Sequence, residues 1–225
     1  MPQTIFADGL DQLVILRAGY DARAYRMEEL RHNVRVFEVD HPATQQEKKA
    51  KLMKLLGSLP DSVVYVPVDF ERDWLDLRLL ESGYDGNERS LFICEAVTMY
   101  LTPEAVDETL AFVAKKSGDG SYIVMDYIFK SVVDGPCDLY GTAEFRKQVE
   151  RRGDSIQLGI EEGTVERFLA DRGFDTLKNV TSDFVKSAYF RGESQGLYVA
   201  PSMGYVHATV KTREAERDTW NSNVG

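Results

Sequence analysis

Acids recur at the ends of short apolar runs in this sequence, and an acid so placed can hold a polar ligand. Asp40 follows VRVFEV, Asp69 follows SVVYVPV, Glu95 follows LFIC, and Asp126 falls late in SYIVMDY. Ahead of them, the run Gln12–Leu16 (QLVIL) leads into Arg17-Ala18-Gly19. A small-residue turn there lets a ligand approach the backbone amides closely, although any tight strand-to-helix turn favours glycine. Arg17 puts a large side chain where glycine is the easy choice. Asp40 stands 21 positions after Gly19, near the ~20-residue spacing at which an acid reaches a ribose hydroxyl pair in dinucleotide-type sites. A carboxylate can accept from both hydroxyls at once. The same aspartate could instead cap a helix starting near Pro42-Ala43, and spacing alone does not separate the two. Asp69 could accept from the exocyclic amine of an adenine, with Phe70 as an apolar wall or a backbone amide. In isolation, a loop acid beside a core phenylalanine is the plainer reading. Glu95 ends an apolar run, so it is half buried and needs a partner: a polar or cationic ligand, or an Arg or Lys from elsewhere.

The elements that must position these residues alternate along the chain. Strands are expected at Gln12–Leu16, Val34–Val39, Ser62–Val68, Arg89–Ala96, Ser121–Tyr127, Leu177–Thr181 and Gly204–Val210, with Pro67 marking an edge or a strand end. Helices are expected at Asp21–Leu30, Ala43–Leu56 closed by Gly57, Trp74–Glu81, Pro103 to about Lys116, Ala143–Arg152, and Glu162–Arg172 closed by Gly173. Thr102, Pro103 and Glu104 give the clearest helix start: an N-cap, a residue suited to the first turn, and an acid at the positive end of the dipole. Alternating strands and helices define an α/β domain with a mostly parallel sheet. Such a sheet binds its ligand at the carboxyl ends of the strands.

Composition narrows the partners. In 225 residues, 27 Lys and Arg stand against 37 Asp and Glu, a net charge of −10. That balance argues against a nucleic-acid groove or an anionic membrane, both of which need clustered cations. No run reaches the roughly 20 apolar residues of a membrane span, and the first residues show no secretory signal. Two cysteines, Cys94 and Cys137, make neither a disulfide framework nor a zinc site, so a cytoplasmic setting is expected and no metal. One domain over residues 1–225 is expected, with a polar tail from Arg213. His41, His32 and His207 read as structural, His41 least clearly. Lys130, Arg146, Lys147, Arg151 and Arg152 read first as a solvated helix face, and otherwise as cations that meet a substrate.

Taken together, LVILRAGYDARAYRM (Leu13–Met27), VFEVDHPATQ (Val36–Gln45), YVPVDF (Tyr65–Phe70) and LFICEAVTMYLTP (Leu91–Pro103) resemble the leucine carboxyl methyltransferase-like family. The resemblance runs from about Leu13 to Lys211. It implies the class I Rossmann-like fold of S-adenosylmethionine-dependent methyltransferases: a seven-stranded, mostly parallel sheet with its last strand antiparallel and helices on both faces. It places the methionine part of the cofactor on Arg17-Ala18-Gly19, the ribose on Asp40, the adenine on Asp69 and Phe70, and Glu95 in the wall of the cofactor pocket. Arg17 then either pairs with the cofactor carboxylate or fills the pocket.

The implied activity is O-methylation of a carboxylate or hydroxyl on a small molecule, with a homo-oligomer left open. A carboxylate acceptor is already ionised at neutral pH and needs no general base, whereas a phenol or alcohol needs one. Tyr100 and Tyr127 stand near strand ends, where they could touch substrate but more often pack. A nicotinamide-dependent oxidoreductase would want a fuller glycine-rich turn than Arg17-Ala18-Gly19. A non-catalytic relative is the other alternative. Its support is Arg17 and the eleven residues before Gln12, where family members carry a helical segment of several dozen residues. The expectation is a shortened member, a fragment, or a version whose lid comes from elsewhere.

Overall fold

Gln12–Leu16 is buried at every position, as a strand covered on both faces must be, and forms β1 of a computed structural model that describes residues 9–32, 34–70, 72–135 and 137–212. Its one polar residue, Gln12, is fully satisfied. Its side-chain amide donates to the Asp85 carbonyl at 2.7 Å and to Ser90 Oγ at 3.1 Å, and its oxygen accepts from the Asp85 amide at 2.9 Å. The further strands are β2 (Arg35–Asp40), β3 (Val63–Pro67), β4 (Ser90–Cys94), β5 (Tyr122–Ile128), β6 (Phe174–Thr181) and β7 (Met203–Val210). They form one seven-stranded sheet in the order β3-β2-β1-β4-β5-β7-β6. β1 pairs in parallel with β2 and β4, β2 in parallel with β3, and β6 runs antiparallel to β7. β3 ends the strand order, which accounts for Pro67: a residue without an N–H is tolerated at an edge.

The residues divide into two compact units, described separately. Among the described residues, the first holds those up to Ile93, with Lys115–Tyr122 and residues 211–212; the second holds those of Cys94–Ala114 and Ile123–Val210.

In the first unit, α1 (Arg23–Arg26) and α2 (Glu29–His32) replace the single helix expected over Asp21–Leu30. Ala24 and Leu30 are both buried, yet six positions apart they fall about 120° from each other on a continuous helix. Met27 turns extended at ψ 118° and lets both point inward. α3 (Pro42–Leu56) starts with Pro42 at the first turn and ends at Gly57, whose φ of +80° is the left-handed cap that glycine adopts without cost. A buried ion pair fastens α3 to β2: Lys48 Nζ lies 2.7 Å from Glu38, with the two side chains 4% and 0% exposed. Burial pushes the Glu38 carboxyl above its usual range, against the pull of Lys48. Gln45 adds hydrogen bonds to the carbonyls of Glu38 (2.8 Å) and Val66 (2.9 Å), joining α3 to β2 and β3. α4 (Leu75–Glu81) follows β3.

In the second unit, α5 (Pro103–Lys115) begins where its residues predict, with Thr102 Oγ1 accepting from the Ala105 amide at 3.2 Å. α6 (Lys130–Val133), α7 (Thr142–Arg151) and α8 (Val165–Ala170) follow. α8 starts later than expected because Gly163 sits at φ +76° and Thr164 closes a turn on the Glu161 carbonyl. α9 (Ser182–Tyr189), with no buried residue, was not expected. Its apolar residues Phe184, Val185, Ala188 and Tyr189 do recur at helical spacing, but over only two turns. The tail from Arg213 lies outside the described residues.

Candidate functional site

The turn after β1 is shaped by backbone first. Arg17 and Gly19 both adopt positive φ, +49° and +45°, and the Ala18 amide donates to the Val39 carbonyl at 3.0 Å. That bond sets the turn against the end of β2, where Asp40 stands only 8% exposed. One Asp40 oxygen accepts from the Gly19 amide and the other from the His41 amide at 2.6 Å. His41, not Asp40, caps α3, its Nδ1 accepting from the Ala43 amide at 3.3 Å. The carboxylate of Asp40 is therefore spent on the turn rather than on the helix. Two neutral amides fill two of its roughly four acceptor sites and leave the rest for hydroxyl donors. Among the described residues no cation pairs with it.

Asp69 and Phe70 follow β3. The Asp69 carbonyl accepts from the amides of Arg72 (2.9 Å) and Asp73 (2.7 Å), and its own amide donates to Asp73 Oδ2 at 2.9 Å. The Asp69 carboxylate lies 3.7 Å from Arg72 Nε, a loose contact beside an 82%-exposed arginine. Asp73 holds this loop, and sequence reasoning missed it. Its signal was an acid four residues past Asp69 with an arginine five further on. The Asp69 amide and the Arg78 guanidinium hold the Asp73 carboxyl below its usual range. Phe70 is half-buried, and the Arg17 guanidinium sits 5.1 Å from its ring centroid. That contact ties the turn after β1 to the loop after β3, so Arg17, Gly19, Asp40, Asp69 and Phe70 form one contiguous set within the first unit.

Glu95 belongs to the second unit and is half-buried just past β4. The next residue, Ala96, takes φ +54°, and its amide donates to Asp126 Oδ1 at 2.8 Å. Thr98 Oγ1 donates to the Asp126 carbonyl at 3.0 Å. Burial pushes the Asp126 carboxyl up to about 6, with the charge of Glu95 adding to it. Both acids also raise the phenol of Tyr205, after burial as the main cause. Asp126 was visible as a strand-end acid, but its protonation could not be read from spacing.

The other residues that the sequence singles out have these surroundings. The Tyr127 hydroxyl donates to Asn179 Oδ1 at 3.0 Å, and the Tyr100 carbonyl accepts from Gln157 at 2.7 Å. His207 has its pKa lowered by burial alone, and the His32 side chain lies outside the described residues. Lys130 lies 3.8 Å from Asp134, and Arg146 donates to the Gly135 carbonyl. Lys147, Arg151 and Arg152 are exposed on or just past α7.

This strand order, with β1 to β4 parallel and β6 antiparallel to β7, is that of the class I methyltransferase fold. A crystal structure of a suspected S-adenosylmethionine-dependent methyltransferase from Listeria monocytogenes superposes with a TM-score of 0.60 at 12% identity, covering 93% of this chain and 96% of that one. The 1,6-didemethyltoxoflavin-N1-methyltransferase of Burkholderia thailandensis superposes at 0.56 and 14% identity, covering 93% and 75%.

Within that class, the chain belongs to the leucine carboxyl methyltransferase family, whose model matches residues 2–114, half of the chain. YktD of Bacillus subtilis strain 168, named as a suspected S-adenosyl-L-methionine-dependent methyltransferase, is 29% identical over 203 residues, 90% of this chain and 66% of its own length. A similarly named protein of Mycobacterium sp. strain KMS is 38% identical over 175 residues, 75% of this chain and 56% of its own. The chain spans 38% to 66% of the length of the first such curated relatives.

Proposed function

We propose that this protein is an S-adenosylmethionine-dependent O-methyltransferase that modifies a carboxylate or hydroxyl of a small molecule. The observation that carries the reading is Asp40, a buried acid at the end of β2 held against the glycine turn by two amides, with acceptor sites left for a ribose diol. The other residues of the set fit the same nucleoside. Phe70 offers a ring face for a flat base, Asp69 stands beside it as an acceptor for an exocyclic amine, and the turn at Arg17-Ala18-Gly19 presents backbone to the amino-acid end. Glu95 completes the assignment on its sequence position.

The bound sulfonium supplies a methyl group with its leaving group already in place. The protein's work is then alignment and the exclusion of water. Asp40 fixes one end by accepting two hydroxyls in a nearly buried position, and Phe70 fixes the plane of the base. A carboxylate acceptor arrives ionised and asks no proton transfer of the protein. Carboxylates near a cationic cofactor also raise its local concentration, in keeping with the net charge of −10.

Calorimetry with S-adenosylmethionine, S-adenosylhomocysteine and NADH tests the reading: heat is expected with the first two alone. Asp40→Ala should weaken S-adenosylhomocysteine binding by about 1–3 kcal/mol, the cost of leaving ligand hydroxyls unpaired. Undiminished affinity in that variant would remove Asp40 from the site. Labelled methyl transfer to a panel of carboxylic acids, phenols and amines then distinguishes O- from N-methylation.

A further inference from the structure

The segment between β6 and β7 carries cations that no described carboxylate neutralises. Lys186 on α9 and Arg191 just beyond it are both exposed, and among the described residues neither is within ion-pair distance of a carboxylate, although Asp183 and Glu193 lie in the same segment. They line a cavity of about 330 Å³ with Ser187, Phe190, Gly192 and Gln195. Gly192, at φ +61°, turns the chain so that Arg191 and Gln195 face the same hollow. Phe190 forms its apolar wall. Beside it, Lys186 Nζ stands 5.7 Å over the ring of Tyr198, which packs 5.0 Å from Tyr140; Tyr198 and Tyr140 are 71% and 60% exposed. The segment returns to the sheet at Ser202, whose carbonyl accepts from the Phe129 amide at 2.9 Å, just past β5. It therefore lies at the carboxyl rim of the second unit's strands.

We propose that this cavity binds a small aromatic carboxylate. The Arg191 guanidinium presents paired donors that match the two oxygens of a carboxylate, and Lys186 adds a point charge. Gln195 offers a neutral hydrogen bond, while the Ser187 hydroxyl is taken by the Phe184 carbonyl at 2.9 Å; Phe190 with the Tyr198–Tyr140 pair gives a ring a surface to lie on. The volume suits a small molecule rather than a peptide. That the ligand is the methyl acceptor rests on the methyltransferase reading; that the cavity binds it does not.

Calorimetry or ligand-observed NMR with benzoate, benzyl alcohol and acetate tests both halves of the recognition. Benzoate should bind at least about tenfold more tightly than either the ring without the charge or the charge without the ring. The double variant K186Q/R191Q, at exposed positions, should lose benzoate binding about tenfold or more while keeping its circular-dichroism spectrum and its affinity for S-adenosylhomocysteine. Equal binding of benzyl alcohol, unchanged benzoate binding by the variant, or no benzoate binding up to about 10 mM would each overturn the proposal. Benzoate binding without any S-adenosylhomocysteine binding would leave the cavity standing and remove the methyltransferase reading instead.

Discussion

Arg17 holds a left-handed backbone at φ +49°, a conformation that costs a side-chain-bearing residue roughly 1–2 kcal/mol. Its guanidinium recovers about 0.5–1 kcal/mol on the face of Phe70. Arg17→Gly exchanges one term for the other, so its unfolding free energy should stay within about 1 kcal/mol of wild type in urea titrations. Because the guanidinium rests on the ring assigned to adenine, the same variant should bind S-adenosylhomocysteine more tightly; weaker binding would show that the arginine holds the cofactor. Asp126 makes a pH prediction. Unfolded, its carboxyl ionises near 3.8, and folded, near about 6. Between those values the folded state holds the extra proton, so stability falls as pH rises through this window, and the loss is complete above it. The groups facing Asp126 are Glu95, Tyr205 and the Ala96 amide, and only Glu95 is another acid. Asp126→Asn keeps an acceptor for Ala96 without the charge. It should gain roughly 2–3 kcal/mol over wild type at about pH 7.5 and almost nothing at about pH 4. Equal denaturation midpoints for the two proteins at the higher pH would contradict this.

At the scale of elements, α3 and β2 depend on a charge pair that neither shows alone. The helix carries four lysines, and one of them, Lys48, is buried on Glu38. Removing one partner strands a buried charge, so Lys48→Met should destabilise by about 3–5 kcal/mol. Replacing both, as Lys48→Met with Glu38→Leu, should restore most of it, and chemical denaturation of the three variants measures the difference. Strands β1 to β5 were legible because buried parallel strands are continuous apolar runs, and each boundary lies within one or two residues of its expectation. The break at Met27 and the late start of α8 are tertiary information, whereas α9 carries its apolar period in sequence but over two turns only. The site divides the same way. Asp40 beside Gly19 followed from spacing, but the stacking of Arg17 on Phe70 and the acidity of Asp126 depend on neighbours far along the chain.

For the whole molecule, occupancy of the proposed site should appear as stability, because a ligand that binds only the folded state shifts unfolding by mass action. S-adenosylhomocysteine at about a hundred times its Kd should add ~2.7 kcal/mol and raise Tm by roughly 5–10 °C, with no shift from NADH in the same thermal melts. Family membership fixes the fold class and, through it, which strand ends to inspect. The outer strand carries a last consequence. The Val68 amide donates to the Asp40 carbonyl, so by alternation the amides of Val66 and Val64 also face β2, and position 67 faces the open side. Pro67 has no amide to offer there, and the Val63 amide is taken by the Pro60 carbonyl. A foreign β-segment looking for a template thus meets one outward N–H, on Tyr65, where a full row would invite fibril growth. On the β3 side, then, the sheet withholds most of the donors that edge-to-edge pairing requires.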